Sequence, residues 1–511
     1  MPLPLPREAS RLLSRLAGLL AQRGTEAYVV GGFLRDLLLG RPSQDVDLAI
    51  GASPAIVGPE LAQALGGRFF ILSRDEDMGR LVVPVGEGAS LAVDLHPLSG
   101  DIEEDLRRRD YTVDALAAPL DPLARGEAAI LDPCGGRRDL AARLVRLVSV
   151  DALRDDPLRL LRGVRLAVEL DFQLEPATAR AIAEHAHLLP QTAPERQRDE
   201  LVRLLASHRT ARGLRLLESL GLLSSLLPEV TSGRGVSQPR EHYWDVLGHA
   251  LATVEALDLL LALVPPSASE GSPWQPREPA LWSSLWDELG PLAPSLRSYL
   301  DEEVVAGRPR QALLKLGGLL HDVAKPATRS VDASGRLRFF GHDRLGEELA
   351  RGIMARLRFS SREEDFVGRL VRAHLRPTQM AQQGPPTPRA IYRFYRDCGE
   401  AAWGVLILSL ADHLATVGSR LDWQGWQWHV GLVLHVLQEP ERRRELRQPP
   451  RLVTGHDLME ALGLRPGPTV GALLEALREA QATGEVKNRE EALALARRLL
   501  ERMKVAAGGG P

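Results

Sequence analysis

The stretch Tyr28–Ile50, YVVGGFLRDLLLGRPSQDVDLAI, constrains the fold more than any other part of the chain. Tyr28-Val29-Val30 is an apolar run of strand length, Gly31-Gly32 follow, and a helical pattern continues through Leu39. Arg41-Pro42-Ser43 make a turn, and Asp45-Val46-Asp47-Leu48-Ala49-Ile50 reads as a second strand. Side chains alternate along a strand, so Asp45 and Asp47 share one face while Val46 and Leu48 point into a core. Two carboxylates on one face repel unless a cation sits between them, and Mg²⁺ takes carboxylates together with phosphate oxygens. Paired glycines let a backbone approach phosphates closely, and the helix behind them offers free N–H groups to an anion. A GG alone is a turn, and a DxD alone is a solvated strand edge. The ordered series strand–GG–helix–turn–DxD strand points to metal-dependent phosphoryl or nucleotidyl transfer.

A chain of 511 residues is too long for one core and predicts several domains. With a net charge of −3, a nucleic-acid partner has to be read from local patches and not from the total. Cys134 and Cys398 exclude a disulfide framework and fit a reducing cytoplasm. No long uninterrupted apolar run suits a membrane span, and MPLPLPREASRLLSRL lacks a signal-peptide layout.

Leu12–Leu20 reads as an amphipathic helix. A helix is expected near Pro59–Leu65, and strands over Arg68–Leu72, Leu81–Val85 and Ser90–His96. In the last of these, Ala92, Asp94 and His96 share a face, so Asp94 is either a third carboxylate beside Asp45 and Asp47 or an edge-strand acid. Glu103–Ala118, EEDLRRRDYTVDALAA, places an arginine row and an acid at a helix start. In Asp151–Leu170, DALRDDPLRLLRGVRLAVEL, the residues Asp156, Arg159, Arg162 and Arg165 are spaced by three and predict one helix face.

The opening series resembles the nucleotidyltransferase superfamily, the polymerase-beta-like fold. GGFLRD…DVDLAI is similar to its class II tRNA nucleotidyltransferase (CCA-adding) and bacterial poly(A) polymerase branch. RRDYTVDA resembles the family's RRDFTINA, with Tyr111 for Phe and Asp114 for Asn. Asp155-Asp156 with Arg159, Arg162 and Arg165 resembles its EDxxRxxRxxR motif, and Glu195-Arg196…Glu200-Leu201 its ERxxxEL motif. The likeness runs from about Tyr28 to Leu227 and implies an α+β head followed by an all-α remainder. It implies catalytic Asp45 and Asp47 holding Mg²⁺, with Gly31, Gly32, Arg35 and Arg109 on the nucleotide's phosphates and sugar and Asp110 holding Arg109 in place. It implies that Asp156 and Arg159 read the incoming base without a nucleic-acid template, since such a pair can mimic a base edge. Arg162 and Arg165 match phosphate-side arginines. The implied partners are tRNA, CTP and ATP, with no membrane.

Beyond Glu241 the ordered set His249, His321-Asp322, His342, His374 and Asp412 resembles the HD superfamily of metal-dependent phosphohydrolases. His249, His321, Asp322 and Asp412 match its core ligands, and His342 and His374 the extra ligands of two-metal members. The resemblance implies a divalent metal without fixing which. A catalytically idle HD fold is the alternative. Val264–Pro294, rich in Pro, Ser and Trp, reads as an insertion or lid. Arg451–Met503 resembles the terminal helical region of bacterial family members, which suits either the tRNA body or helical packing alone. The expected domains are a head over 1–145, a neck over 146–235, an HD domain over 236–440 and a C-terminal region over 450–505.

CCA-adding relatives carry a flexible segment between the strand after DVD and RRDFT, and members lacking it add C's but not the final A. Here Ser90–His96 is followed at once by Pro97-Leu98-Ser99-Gly100 and the acidic helix start at Asp101. Weak or absent A addition is therefore expected, unless Gly86–Ala89 or the 264–294 insertion substitutes for the lost loop. A poly(A) polymerase of the same fold and an HD phosphodiesterase with an RNA-binding head are the rival readings.

Overall fold

The two strands flanking the glycine pair form and stand side by side. In the computed structural model, β1 (Ala27–Val30) pairs antiparallel with β2 (Asp45–Ile50), so Val30 faces Asp47 across the ladder. The structure describes residues 5–41, 45–86, 90–127, 129–262, 290–418, 422–442 and 452–508. The chain divides into two units, Met1–Leu226 and Leu227–Pro511.

In the first unit α1 (Arg7–Ala21) buries Leu12, Leu13, Leu16 and Leu20 along one stripe. After β1 come α2 (Gly32–Leu38), β2 and α3 (Pro54–Leu65), which starts earlier than expected because Pro54 is pre-set for the first turn. Next are β3 (Arg68–Ser73), β4 (Met78–Pro84), β5 (Ser90–Pro97), α4 (Ile102–Arg107) and β6 (Ala117–Pro119). The sheet order is β3-β4-β5-β2-β1-β6, and only β2 and β5 run parallel among these pairs. Their register sets Asp47 beside Asp94 and Asp45 beside Ala92.

Two local expectations are corrected. The arginine row falls at the end of α4, not at a helix start. Asp101 caps the helix by accepting from the Glu104 N–H, and Glu103, Glu104 and Asp105 fill the first turn. Acids favour the positive end of a helix and cations the negative end, so this polarity suits the sequence. Asp156 also does not lie on one helix with Arg159, Arg162 and Arg165. The helix Asp151–Asp155 stops, Asp156 is extended (φ −142°, ψ 97°), and the next helix runs over Arg159–Glu169. The reason is Pro157, whose ring pushes the preceding residue out of the α region.

The second unit is helical, with small two-stranded pairs. Helices Val246–Leu261, Arg310–Leu320, His342–Arg356, Ser361–Ala373 and Ala402–Val417 surround a core of buried leucines and valines, and Ser330–Val331 pairs with Leu337–Arg338 in a short hairpin. The C-terminal helices Gly455–Leu462, Pro468–Ala482 and Arg489–Gly508 share a cluster that includes Leu458, Leu473 and Ala496. Among the described residues, the stretch 388–417 is long and apolar enough to cross a membrane, but 67% of its apolar window is buried inside the protein. The expected insertion lies almost wholly outside the described residues, as do Pro42 and Ser43 of the expected turn and residues 87–89.

Candidate active sites

On β2 the alternation is as expected: Val46 and Leu48 are buried, while Asp45 is exposed and Asp47 half-buried. The glycine turn stands directly beside Asp47. A Cβ on Gly31 would lie 3.1 Å from Asp47 Oδ2 and 3.2 Å from Arg109 Nη1, and Gly31 has φ +71°. Any side chain there would be strained and would crowd both groups. Asp47, Arg109 and the open backbone of the turn thus meet at one point. Asp94 stands next to Asp47 as the third carboxylate of the face, but Arg80 clamps it through Nε and Nη2 at 2.7 and 2.8 Å. His96 Nε2 is 3.7 Å from Asp47 Oδ1. The two-carboxylate oxygen donor set of Asp45 and Asp47 fits Mg²⁺, a hard cation that prefers oxygen.

The arginines are held differently from expectation. Arg109 is anchored by Asp105, which accepts from its Nε at 3.2 Å, and not by Asp110. Asp110 instead lies 3.0 Å from Arg162 Nε and accepts from the Tyr111 N–H. Arg35, expected on phosphates, donates to Asp114 Oδ1 at 2.6 Å and to both oxygens of Asp36. Arg162 Nη2 reaches Asp114 Oδ2 at 3.4 Å. Burial by itself would raise the Asp114 carboxyl, but Arg35 and Arg162 outweigh it and hold the group below the usual carboxylate range. The acid that replaces the family's amide therefore balances two guanidiniums, of the mostly buried Arg35 and the more exposed Arg162. Arg165, expected on the phosphate side, is a buried brace that donates to Glu200 and Glu169, each at 2.6 Å.

Asp156 receives Arg196 Nη1 and Nη2 at 3.2 and 2.7 Å, and Arg159 Nη1 donates to the Ala152 carbonyl at 3.2 Å. The pairing of Arg196 with Asp156 was not foreseen, although the ERxxxEL motif contained the arginine. Tyr111 is fully buried, donates to the Arg159 carbonyl at 2.7 Å, and fills the space over Gly163, where a Cβ would lie 2.1 Å from its hydroxyl.

In the second unit all six expected ligands converge. His249, His321 and Asp412 form one group, and Asp322, His342 and His374 another, with the ligand atoms of each within 4.8 Å of one another. Asp322 joins them. Its Oδ2 lies 3.3 and 3.2 Å from His249 and His321 Nε2, and its Oδ1 lies 3.5 and 3.8 Å from His342 and His374 Nε2. The Nδ1 atoms of His321, His342 and His374 face the carbonyls of Gly318, Phe339 and Val371 at 2.8, 2.7 and 2.6 Å. A carbonyl can only accept, so each Nδ1 carries a proton and turns Nε2 inward, the usual orientation of a metal-bound histidine.

Charge in this centre calls for a cation. Burial opposes protonation of His321, yet Asp322 and Asp412 outweigh it and push the imidazole up to about 10. Burial drives His374 down to about 3, with His321 adding to the effect. Both carboxylates are held well below their usual range against burial, chiefly by His321 for Asp322 and by hydrogen bonds from His249 and His321 for Asp412. Two carboxylates ringed by imidazoles make a site whose charge a divalent ion would balance, and binding such an ion is linked to ligand deprotonation. Lys325 Nζ, 2.6 Å from Asp322 Oδ2, adds a charge that sequence reading did not single out.

Four family descriptions match the chain in order: "Poly A polymerase head domain" over residues 27–146, "Probable RNA and SrmB- binding site of polymerase A" over 171–233, "HD domain" over 287–417, and "tRNA nucleotidyltransferase domain 2 putative" over 441–496. His249 precedes the matched HD span and is brought to the centre by the fold. The A-adding tRNA nucleotidyltransferase of Deinococcus radiodurans is 37% identical, covering 93% of this chain and 96% of its own. The CC-adding tRNA nucleotidyltransferase of Thermus thermophilus is also 37% identical, covering 92% of each chain. A solved CCA-adding enzyme in complex with CTP shares the fold, with a TM-score of 0.61 and 19% identity over 97% of this chain and 96% of that one.

Proposed function

The chain belongs to the bacterial tRNA nucleotidyltransferases, and from that premise we propose that it adds C residues to the tRNA 3′ end and stops short of the final A. An A-adding and a CC-adding relative are equally identical to the chain. The observation that carries the reading is the connection from β5 to α4. Leu98 N–H bonds to the Ile50 carbonyl at 2.8 Å, Gly100 turns at φ +76°, and Asp101 already caps α4. Among the described residues the connection is only Leu98–Asp101, tied down at Leu98 and Asp101, which leaves little room there for a segment that reshapes the base pocket after C addition.

In the reaction, the terminal 3′ hydroxyl of tRNA attacks the α-phosphorus of the nucleotide and pyrophosphate leaves. Asp45 and Asp47 would hold Mg²⁺, which supplies charge neutralisation and activation of the hydroxyl. The Gly31 turn admits phosphates close to the backbone, and Arg109, steadied by Asp105, meets their charge. Arg35, Arg162, Asp110 and Asp114 form a braced wall behind them. Asp156 and Arg159 remain the base-reading pair in this proposal. Arg196 keeps Asp156 oriented until a base arrives.

A second activity rests on Asp322, which faces both ligand groups. The centre would hold divalent ions, and its imidazole-rich donor set favours transition metals over Mg²⁺. Such ions supply an activated water for phosphoester hydrolysis. The two free cysteines, Cys134 and Cys398, support a reducing, cytoplasmic location. The test for base choice is to incubate the protein with tRNA lacking CCA, with CTP and ATP separately and together, and to sequence the products. Ends in CC are expected, and efficient formation of full CCA ends would overturn the assignment.

A further inference from the structure

Resting on the phosphohydrolase reading of the histidine–aspartate centre, we propose that Phe340 is its specificity-determining residue, selecting a nucleoside phosphoester by stacking on the base. A cavity of about 390 Å³ is lined by Asp322, His342 and His374 on one side and by Arg338, Phe339 and Phe340 on the other. Phe340 is 77% exposed, whereas Phe359, Phe366 and Phe394 of the same unit are buried. An aromatic ring left in water at the mouth of a cavity that holds the ligand cluster has a face to offer a ligand.

The chain holds it there. Gly341 adopts φ +77°, a turn that favours glycine, and so separates the outward Phe340 from the inward metal ligand His342. The neighbouring ring of Phe339 is already engaged, with Lys325 Nζ 5.6 Å from its centroid. Phe340 is therefore the ring that remains for stacking. The hairpin leading into it is braced as well. Asp332 accepts from Ser334, from the Arg336 N–H and from Arg338 Nε at 2.9 Å, and Arg336 donates to Glu241 at 2.8 Å. Arg338 is thereby fixed through Nε, and among the described residues no protein group pairs with its terminal nitrogens. The cavity thus offers an anion-binding guanidinium and an aromatic face beside the ligand cluster. That combination fits a phosphate joined to a nucleobase better than a bare phosphate, because stacking is tolerant of base identity and adds to charge pairing.

The experiment compares adenosine 2′,3′-cyclic phosphate with methyl riboside 2′,3′-cyclic phosphate, which has the same reacting group without a base, on the full chain loaded with Mn²⁺, Ni²⁺ or Co²⁺. The expected result is a preference for the adenosine probe. Phe340→Ala lowers its kcat/KM about tenfold through KM, leaves the base-free probe unchanged, and Phe340→Trp restores the preference. An RNA oligonucleotide ending in the same cyclic phosphate distinguishes a strand end from a free nucleotide by whichever is turned over with the higher kcat/KM. CTP incorporation into tRNA serves as the folding control and stays at the wild-type level. Equal turnover of the two small probes, or a Phe340→Ala effect that does not separate them, overturns the stacking assignment while leaving the hydrolase reading intact. If neither probe is cleaved, the hydrolase reading falls, and calorimetric binding of adenosine 3′-monophosphate decides the stacking claim by itself. Weaker binding to Phe340→Ala than to wild type upholds it, and equal binding overturns it.

Discussion

The two candidate centres solve the same problem, gathering negative charge around a cation, in opposite ways. In the head, Asp45 and Asp47 sit on one strand at the solvent-facing side of a sheet, and the acid beside them is already neutralised by Arg80. In the second unit, the neighbours His321 and Asp322 meet His249, His342 and His374 from three other segments, and all five are almost wholly buried. An exposed carboxylate pair is tolerable without its metal because water screens it. A buried one is not, and Asp322 is accordingly surrounded by His249, His321 and Lys325. The head site is suited to a metal that arrives and leaves with each nucleotide. The helical centre is suited to resident metal that is part of the folded unit.

The sharpest way to break this comparison is a reciprocal pair of variants. Asp47→Ala is expected to lower CTP incorporation about a thousandfold or more while phosphoester hydrolysis persists. Asp322→Ala is expected to do the reverse. If either variant abolishes both activities in a folded protein, the centres are not independent.

Metal removal probes residence. Chelation followed by gel filtration is expected to lower the melting temperature of the second unit by about 5–10 °C, since a ligand at a hundredfold its Kd contributes about 2.7 kcal/mol. Transition-metal addition should restore it, and the head's transition should not move. Scanning calorimetry with and without added Mn²⁺ checks both, and an unchanged second-unit transition would remove the resident-metal picture.

Asp114→Asn tests the wall behind the head site. The amide keeps an acceptor but loses the charge that balances Arg35 and Arg162, at a cost of about 2 kcal/mol in denaturant titration. The sign with pH follows from the depressed carboxyl. Its stabilisation is present above the ordinary carboxylate range and is lost as the pH falls through the lower folded-state value. The variant should lack that part of the acid-side slope. The smallest expected effect is Tyr111→Phe, which removes one hydrogen bond to the Arg159 carbonyl and costs about 1 kcal/mol, with CTP incorporation near wild type.

Legibility followed distance along the chain. The shared face of Asp45 and Asp47 was readable because strand alternation operates over two residues. The supposed four-residue face from Asp156 to Arg165 was not, since Pro157 interrupts it and the spacing rule assumes an unbroken helix. Ion-pair partners were the least readable. The row Arg107-Arg108-Arg109-Asp110 gave no sign that Arg109 would choose Asp105 and Asp110 would choose Arg162.

The sequence by itself determined the chemical inventory and its local order: a glycine turn before two carboxylates, an arginine-rich stretch after them, and six histidines and aspartates in the order of a candidate ligand set. Local backbone geometry is enough for that, because helix and strand periods act within a few residues. Only the tertiary structure decided that β2 and β5 run parallel with Asp94 beside Asp47, that Asp114 balances two arginines, and that Asp322 faces both histidine pairs. Those choices are made by burial. A charge removed from water must find a partner, and the partner can lie anywhere along the chain that the fold brings within a few ångströms.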